Sequence, residues 1–132
     1  MGRKQTVILC DTNILVEFYK GDSAVISELR QIGVSQLAIS AITQAELYYG
    51  AINKAELKRI QKQIGLFHNF PVDQAISIRF IQLMEEYSLS HKLAIPDALI
   101  AATALVNDIS LYTLNIKDFR FIEGLTLHTY QP

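Results

Sequence analysis

Several features that mark other protein classes are scarce or missing in this sequence of 132 residues. It has one cysteine, Cys10, so it cannot form an internal disulfide, and it has no CxxC or Cys/His cluster for zinc. No stretch approaches the roughly 18 apolar residues of a membrane span. The apolar run at residues 7–10, behind a basic start, is too short for a signal peptide. We therefore expect a cytoplasmic protein that does not enter a membrane.

The sequence also lacks an excess of charge of one sign, because it has 12 basic and 13 acidic residues. A net charge of -1 argues against a protein that coats nucleic acid through bulk electrostatics, although a local basic stripe is compatible with it. Apolar residues, by contrast, make up 50% of the chain and charged residues 19%. This composition supports a packed core and argues against intrinsic disorder. At this length we expect one domain that covers residues 1–132.

Short apolar runs alternate with helix-like segments along the chain. The predicted strands cover residues 7–10, 37–39, 69–72, 110–113 and 125–129. The predicted helices cover residues 12–19, 23–33, 41–50, 54–64, 74–87 and 96–106. Short strands that alternate with helices are typical of βαβ units. The expected fold class is therefore α/β, with three layers (α/β/α) and a central, mainly parallel sheet.

Two acidic residues stand where such a sheet gathers functional groups, beyond the carboxyl ends of its strands. Asp11 directly follows the first predicted strand. It is equally well placed to cap the helix that begins at residue 12, and the two roles are compatible. Asp97 follows Pro96 in the first turn of a small, apolar helix. The helix dipole favours an acid there without any function, but Asp97 is the one charge in an otherwise buried element, which favours a site.

Glu46 supplies a third carboxylate, on the third predicted helix. An apolar face of this helix is predicted from the spacing of Ile42, Ala45 and Tyr49. Glu46 is expected in the middle of that face, where a carboxylate is costly unless it is paired or binds a metal. The alternative is a capping box, since Thr43 and Glu46 have the Thr-x-x-Glu spacing. That alternative requires the helix to begin at Thr43 and not earlier.

Four short segments follow one another along the chain: CDTNIL at 10–15, TQAELYYG at 43–50, IPDALIAATA at 95–104 and LYTLNIKDF at 111–119. They resemble the signature blocks of PIN-domain nucleases, and in particular the VapC-like toxins of bacterial toxin–antitoxin pairs. The resemblance covers essentially the whole chain. It implies a PIN-like fold and a divalent-metal-dependent endoribonuclease, the toxin of a type II toxin–antitoxin pair. Such an enzyme hydrolyses RNA phosphodiester bonds with a metal-activated water.

The resemblance also implies a site for Mg²⁺ or Mn²⁺, hard cations that take carboxylate oxygens. Three acids are expected to bind the cation and to carry catalysis: Asp11, Glu46 and Asp97. The fourth position of the family pattern is often acidic, and here it is Asn115. Asp118 is expected to supply the missing charge directly or through water, which leaves the number of metal ions open. Thr12 and Thr113 are expected to support the site.

The resemblance further implies three partners: an RNA substrate, a cognate antitoxin protein and a second copy of the chain in a homodimer. A basic stripe on the helix at residues 54–64 consists of Lys54, Lys58, Arg59 and Lys62. It is expected to contact RNA or an acidic partner, and the alternative is a solvated helix face. Lys92, Lys117 and Arg120 are other cations nearer the expected metal site.

Other functions fit the sequence less well. A haloacid-dehalogenase-type phosphatase wants a second Asp two residues after Asp11, where this chain has Asn13. A receiver domain wants an acidic pair near its first strand and a late lysine, for which only Lys117 is suggestive. A PIN-like module that binds RNA or a partner without cutting stays open, as does an RNA-processing nuclease outside a toxin–antitoxin pair. Cys10 is expected in the core, and the three histidines have no metal-ligand spacing.

Overall fold

A sheet of four parallel strands forms the centre of the computed structural model, which describes residues 7–129. The strands are β1 (Ile8–Cys10), β2 (Leu37–Ser40), β3 (His68–Phe70) and β4 (Ser110–Tyr112). Their order across the sheet is β3-β2-β1-β4, and Leu9 of β1 pairs with Ala38 on one side and Leu111 on the other. Because the strands are parallel, their carboxyl ends meet at one edge of the sheet.

Six helices and two short 3₁₀ turns connect the strands. The helices are α1 (Thr12–Tyr19), α2 (Ser23–Ile32), α3 (Ala41–Tyr49), α4 (Lys54–Ile64), α5 (Gln74–Tyr87) and α6 (Ile95–Asn107). The 3₁₀ turns cover Val34–Gln36 and Ile116–Asp118. No helix within residues 7–129 combines the length and the apolar character needed to cross a membrane.

Strands β1, β2 and β4 are largely buried on both faces, as their apolar runs predict, whereas His68 and Asn69 of the edge strand β3 are exposed. One core, which packs against α5 and α6, contains Leu9, Ala38 and Leu111. The other core, which packs against α1 to α4, contains Cys10, Ile39 and Tyr112. The alternation follows from the period of two along a strand. The expected three-layer α/β/α fold is therefore confirmed, and the sheet is parallel throughout the described residues.

Side-chain caps set where most helices begin. Five N-cap side chains accept a hydrogen bond from the first turn of their helix: Asp11, Asp22, Ser40, Asn53 and Asp73. At the other end of α2, Gly33 adopts a φ of 91°, a conformation that favours glycine. These signals are local, and the predicted bounds of α1, α4 and α5 agree with the structure.

The predicted fifth strand, at residues 125–129, is not formed. This segment runs beside β4 and makes a single bridge, between Leu127 and Leu111. The main chain of Leu111 donates to Thr126 O at 2.9 Å and accepts from His128 N at 2.7 Å. The ladder has no second bridge because the segment meets β4 only at Leu111. The prediction of a strand at residues 125–129 was therefore wrong, although the segment does lie beside the sheet.

Candidate active site

Four carboxylates gather at the edge of the sheet where the strands end. Asp11 follows β1, Glu46 lies on α3, Asp97 lies in the first turn of α6, and Asp118 ends the 3₁₀ turn after β4. The charges of Glu46 and Asp118 raise the pKa of Asp11, and the charges of Asp11, Asp118 and Glu46 raise the pKa of Asp97. The three predicted acids and Asp118 therefore act on one another although they are far apart in sequence.

Asp11 is the buried member of the set, with 5% of its surface exposed. Its Oδ1 accepts from the backbone N–H of Thr12 at 2.7 Å, and its Oδ2 accepts from Thr113 Oγ1 at 2.8 Å. The pKa of this carboxyl is raised: burial, the largest influence, raises it, the two hydrogen bonds lower it, and the charges of the neighbouring acids raise it. Asp11 is thus the N-cap of α1 and a member of the acidic cluster at the same time.

A chain of hydroxyl groups connects Glu46 to the core. Thr12 Oγ1 donates to Glu46 Oε1 at 2.7 Å and lies 2.9 Å from Thr43 Oγ1, which in turn lies 3.3 Å from Ser40 Oγ. Thr12 has one hydroxyl proton, so its bond to the carboxylate leaves it to accept from Thr43. The expected supporting role of Thr12 has this structural basis. Thr43, which is fully buried, was missed as a site residue because its spacing suggested only a capping box.

The expected position of Glu46 on a buried apolar face is wrong. Its side chain is exposed, and Tyr49, which was expected on the same face, is 94% exposed. The helix begins at residue 41 with Ser40 as its N-cap, and its packing turns Thr43 and Leu47, its buried residues, inward. That start also excludes the capping box, since Ser40 Oγ accepts from Thr43 N. Glu46 lies on the exposed surface of α3, where its carboxylate accepts a hydrogen bond from Thr12 Oγ1.

Asp97 is partly buried at the start of a helix whose interior face is almost entirely small and apolar. Burial raises its pKa to about 6, with further contributions from the charges of Asp11, Asp118 and Glu46. At neutral pH this carboxyl is mostly ionised, at a cost that an added positive charge would remove.

The segment after β4 contributes through both main chain and side chain. Thr113 is 5% exposed, and its Oγ1, which donates to Asp11, accepts from the backbone N–H of Asn115 at 3.0 Å. Asn115 therefore contacts the site through its main chain. Asp118 is exposed and lines a pocket of about 230 Å³ together with Asp97.

The chemistry of this donor set fits a hard divalent cation. Several carboxylates lie near one another, and within residues 7–129 no Lys, Arg or His forms an ion pair with any of them. As the side chains stand, no group of three or more His, Cys, Asp or Glu in that range is arranged to hold a metal ion. Binding a cation therefore requires some of these side chains to turn, and Glu46 and Asp118 are the exposed ones.

The basic stripe on α4 lies elsewhere. Its four members are exposed, while Ile60 and Ile64 of the same helix are buried. Arg59 lines a pocket of about 380 Å³ with Phe18 and Tyr19 of α1, and none of the four acids lines that pocket. Two of the other cations, Lys92 and Lys117, line the 230 Å³ pocket that holds Asp97 and Asp118.

Cys10 is excluded as a nucleophile. Its side chain is 1% exposed in the core, as expected, and burial, with a smaller contribution from the charge of Asp11, raises the pKa of its thiol to about 12. The histidines have other contacts. The ring of His68 lies 2.9 Å from Ser35 O, His91 stacks on Phe121, and His128 pairs with a buried glutamate.

This fold and this edge of the sheet define a PIN domain. The family model described as PIN domain matches residues 8–123, and the chain belongs to that family. It is 34% identical over 123 residues to Ribonuclease VapC10 of Mycobacterium tuberculosis, with 90% of each chain covered. It is 30% identical to Ribonuclease VapC1 of Rickettsia felis, covering 92% of this chain and 95% of that one.

A solved structure supports the same relationship. A toxin–antitoxin complex from Klebsiella pneumoniae contains a chain with 35% sequence identity and a TM-score of 0.78, covering 90% of this chain and 95% of that chain. The resemblance to PIN-domain proteins of the VapC type, seen first in four short segments, is confirmed over most of the sequence.

Proposed function

We propose that this chain is an endoribonuclease that hydrolyses RNA phosphodiester bonds and acts as the toxin of a type II toxin–antitoxin pair. The observation that carries the proposal is the group of four carboxylates that, within residues 7–129, form no ion pair with a Lys, Arg or His. The relatives named as ribonucleases support it, and the match to the PIN domain family spans residues 8–123, which contain all four acids.

The proposed cofactor is Mg²⁺ or Mn²⁺, held by Asp11, Glu46 and Asp97, with Asp118 as a further ligand. When bound, such a cation supplies positive charge to the reacting phosphodiester and makes water a better nucleophile at neutral pH. No side chain needs to form a covalent intermediate, which agrees with the buried, protonated thiol of Cys10.

The residues around the acids have positioning roles in this proposal. The hydroxyl of Thr113 holds one oxygen of Asp11, and the backbone of Thr12 holds the other. The hydroxyl of Thr12 orients Glu46. Asp97 is fully ionised only well above its pKa of about 6, so the acidic cluster reaches its full negative charge near neutral pH.

Partners follow from the same proposal. The solved toxin–antitoxin complex from Klebsiella pneumoniae supports a cognate antitoxin for this chain, and we propose a homodimer as its assembly. The exposed cations of α4 (Lys54, Lys58, Arg59 and Lys62) are proposed as a contact surface for RNA or for an acidic part of the antitoxin. A toxin that degrades cellular RNA acts where that RNA is, so the proposed location is the cytoplasm.

Cleavage of RNA by the purified protein tests the enzymatic part. We expect cleavage with Mg²⁺ or Mn²⁺, none with EDTA, and a loss on Asp11→Asn. Asp73→Asn is the matched control, because Asp73 is an exposed N-cap whose charge does not affect the pKa of Asp11 or Asp97, and Asn also caps helices. RNA binding without cleavage under both metals would instead identify a non-catalytic binding module. Growth arrest on expression, relieved by a small neighbouring gene, would distinguish a toxin from an RNA-processing nuclease.

A further inference from the structure

A pocket of about 230 Å³ adjoins the acidic cluster on the side of α6 and the last 3₁₀ turn. It lies between the loop at residues 88–94 and the segment after β4. Its lining includes two acids of the cluster, Asp97 and Asp118, and two cations, Lys92 and Lys117. The cations come from two different segments, Lys92 from the loop and Lys117 from the 3₁₀ turn after β4. Opposite charges therefore lie side by side at the border of the candidate active site.

The loop that carries Lys92 is held in place by ring packing. His91 stacks on Phe121 with a centroid distance of 4.1 Å and an angle of 10°, and it meets Tyr87 edge to face. Ser90 Oγ lies 2.7 Å from His91 Nδ1. Lys92 itself has a φ of 53°, a left-handed conformation that is unfavourable for lysine. Such strain persists where the surrounding structure fixes the backbone, as the neighbouring rings do here.

The two lysines are not used to neutralise the acids beside them. Within residues 7–129, neither Lys92 nor Lys117 forms an ion pair, and both side chains are exposed. RNA carries one phosphate per nucleotide, so a strand that brings its scissile phosphate to the acids also brings a neighbouring phosphate. The carboxylates repel that neighbour unless cations compensate. The pocket offers two cations at the required place, whereas the α4 stripe lines none of it.

We propose that Lys92 and Lys117 bind the phosphate next to the scissile one, and that the stacked His91 positions Lys92 for this contact. This inference rests on the proposed ribonuclease function and specifies how its substrate is held. It assigns substrate binding near the site to these two lysines and not to the cations of α4. His91 is a positioning residue, since its recorded contacts are with Ser90, Tyr87 and Phe121.

The test uses Lys92→Asn and Lys117→Gln, alone and combined, with a single-stranded RNA oligonucleotide that the wild-type protein cleaves. Asn tolerates the left-handed conformation at position 92, so the loop is expected to keep its shape. We expect the double variant to raise KM about tenfold with little change in kcat, and to lower the slope of log affinity against log salt by about 0.7 per lost contact. Affinity is measured on the Asp11→Asn background, where the RNA stays intact.

Two controls make the result specific. Lys92→Arg and Lys117→Arg keep the charge and are expected to retain most of the affinity. Lys20→Gln removes an exposed cation at the end of α1, outside the pocket, and is expected to leave KM and the salt slope near wild type. An unchanged KM and an unchanged salt slope in the Lys92/Lys117 double variant would overturn the proposed phosphate site. Absence of RNA cleavage by the wild-type protein overturns the ribonuclease function itself, so the two failures are distinguishable.

Discussion

Two carboxylates in this protein are equally buried but have different surroundings. Asp11 and Glu28 are each 5% exposed. Glu28, on α2, lies with its Oε2 2.5 Å from Nε2 of His128, an imidazole that can carry a positive charge. Asp11 instead accepts from two neutral donors, the backbone N–H of Thr12 and the hydroxyl of Thr113. Burial alone therefore does not distinguish a structural acid from one available for chemistry, whereas the nature of the partner does.

The Glu28 pair has a structural purpose that can be read from its neighbours. The ring of His128 meets Tyr112 of β4 edge to face at 5.1 Å, and its backbone N–H donates to Leu111 O. The pair thus attaches the segment after residue 124 to both α2 and β4. Asp11, in contrast, has no structural partner of this kind in the bonds described above. Burial raises its pKa, and the charges of neighbouring carboxylates raise it further. Since no ion pair within residues 7–129 involves Asp11, we expect a bound cation to supply its counter-charge.

The largest effect is expected from Asp11→Asn. Mutating a residue that only orients the ligands of a metal site typically lowers activity or metal affinity about 10- to 100-fold. Removing a proposed charged ligand should therefore lower kcat/KM by more than about 100-fold. Thermal stability in EDTA should stay the same or rise, because Asn keeps the N-cap bond and removes a buried charge whose pKa is raised. Cleavage assays and thermal unfolding on the same preparation check both parts. Near-wild-type cleavage would remove Asp11 from the proposed site.

Thr113→Val should come next, with a loss of about 10- to 100-fold in kcat/KM or metal affinity. The change removes the hydroxyl that donates to Asp11 Oδ2 while keeping the side-chain volume similar. Thr103→Val is the matched control, because this buried hydroxyl donates within α6 to Leu99 O and does not contact the acids. Equal losses in the two variants would mean that Thr113 acts only through the fold.

Asp118→Ala should weaken metal binding or cleavage measurably, but less than Asp97→Ala. Asp118 is exposed and interacts with the other acids from the far side of the pocket, whereas Asp97 is partly buried among them. Calorimetric titration of both variants with Mg²⁺ and Mn²⁺ provides the comparison. Unchanged metal binding in Asp118→Ala together with a lower Tm would leave a site of three carboxylates.

Glu28→Gln should show the reverse of Asp11→Asn. The change weakens a buried, charge-assisted contact to His128, and we expect a loss of about 1–3 kcal/mol in the free energy of unfolding. The kcat of RNA cleavage should stay near wild type, since Glu28 belongs to α2 and not to the acidic cluster. Urea unfolding and cleavage assays measure the two quantities. A selective loss of cleavage with unchanged stability would break the contrast between the two acids.

The smallest effect concerns pH. The pKa of Asp97 is raised from 3.8 to about 6 in the folded protein, so folding favours its protonated form. The stability that this group contributes is fully present below about pH 3.8 and is lost as the pH rises through about 6. In EDTA, Asp97→Asn should therefore gain stability relative to wild type as the pH rises from 5 to 7.5. If the free energies of unfolding of the two proteins differed by a constant amount over this range, the raised pKa of Asp97 would be contradicted.

Local signals in the sequence predict much of this fold. Asn53 and Asp73 mark helix starts, Gly33 and Gly65 lie just past helix ends, and each acts through its own few neighbours. The apolar runs predict strands buried on both faces because their period does not depend on distant contacts. Segment 125–129 has a similar pattern, yet its pairing depends on how much of β4 it meets, which no local rule contains.

The acids of the candidate site, with Thr12 and Thr113 beside them, were predicted by type and order, but the rest of their surroundings was not. Periodicity put Glu46 on a buried face because it counted Tyr49 as interior, whereas the docking of α3 turns Thr43 and Leu47 inward. The hydroxyl chain through Thr43 and the pairing of Glu28 with His128 join residues from distant segments. Such contacts depend on the assembled fold, so a single sequence without alignment gives no signal for them.

The hydrogen bond between Thr113 and Asp11 joins residues that are 102 positions apart, and β4 completes the sheet beside β1. A ribosome synthesises Asp11 first and Asp118 last among the acids of the cluster. Until β4 has left the exit tunnel and paired, Asp11 lacks one of its two donors and Asp118 is absent. A nascent chain therefore cannot assemble this cluster until Asp118 has been made. For a toxin whose proposed active site is this cluster, the order of the chain delays activity until the segment after β4 has been synthesised.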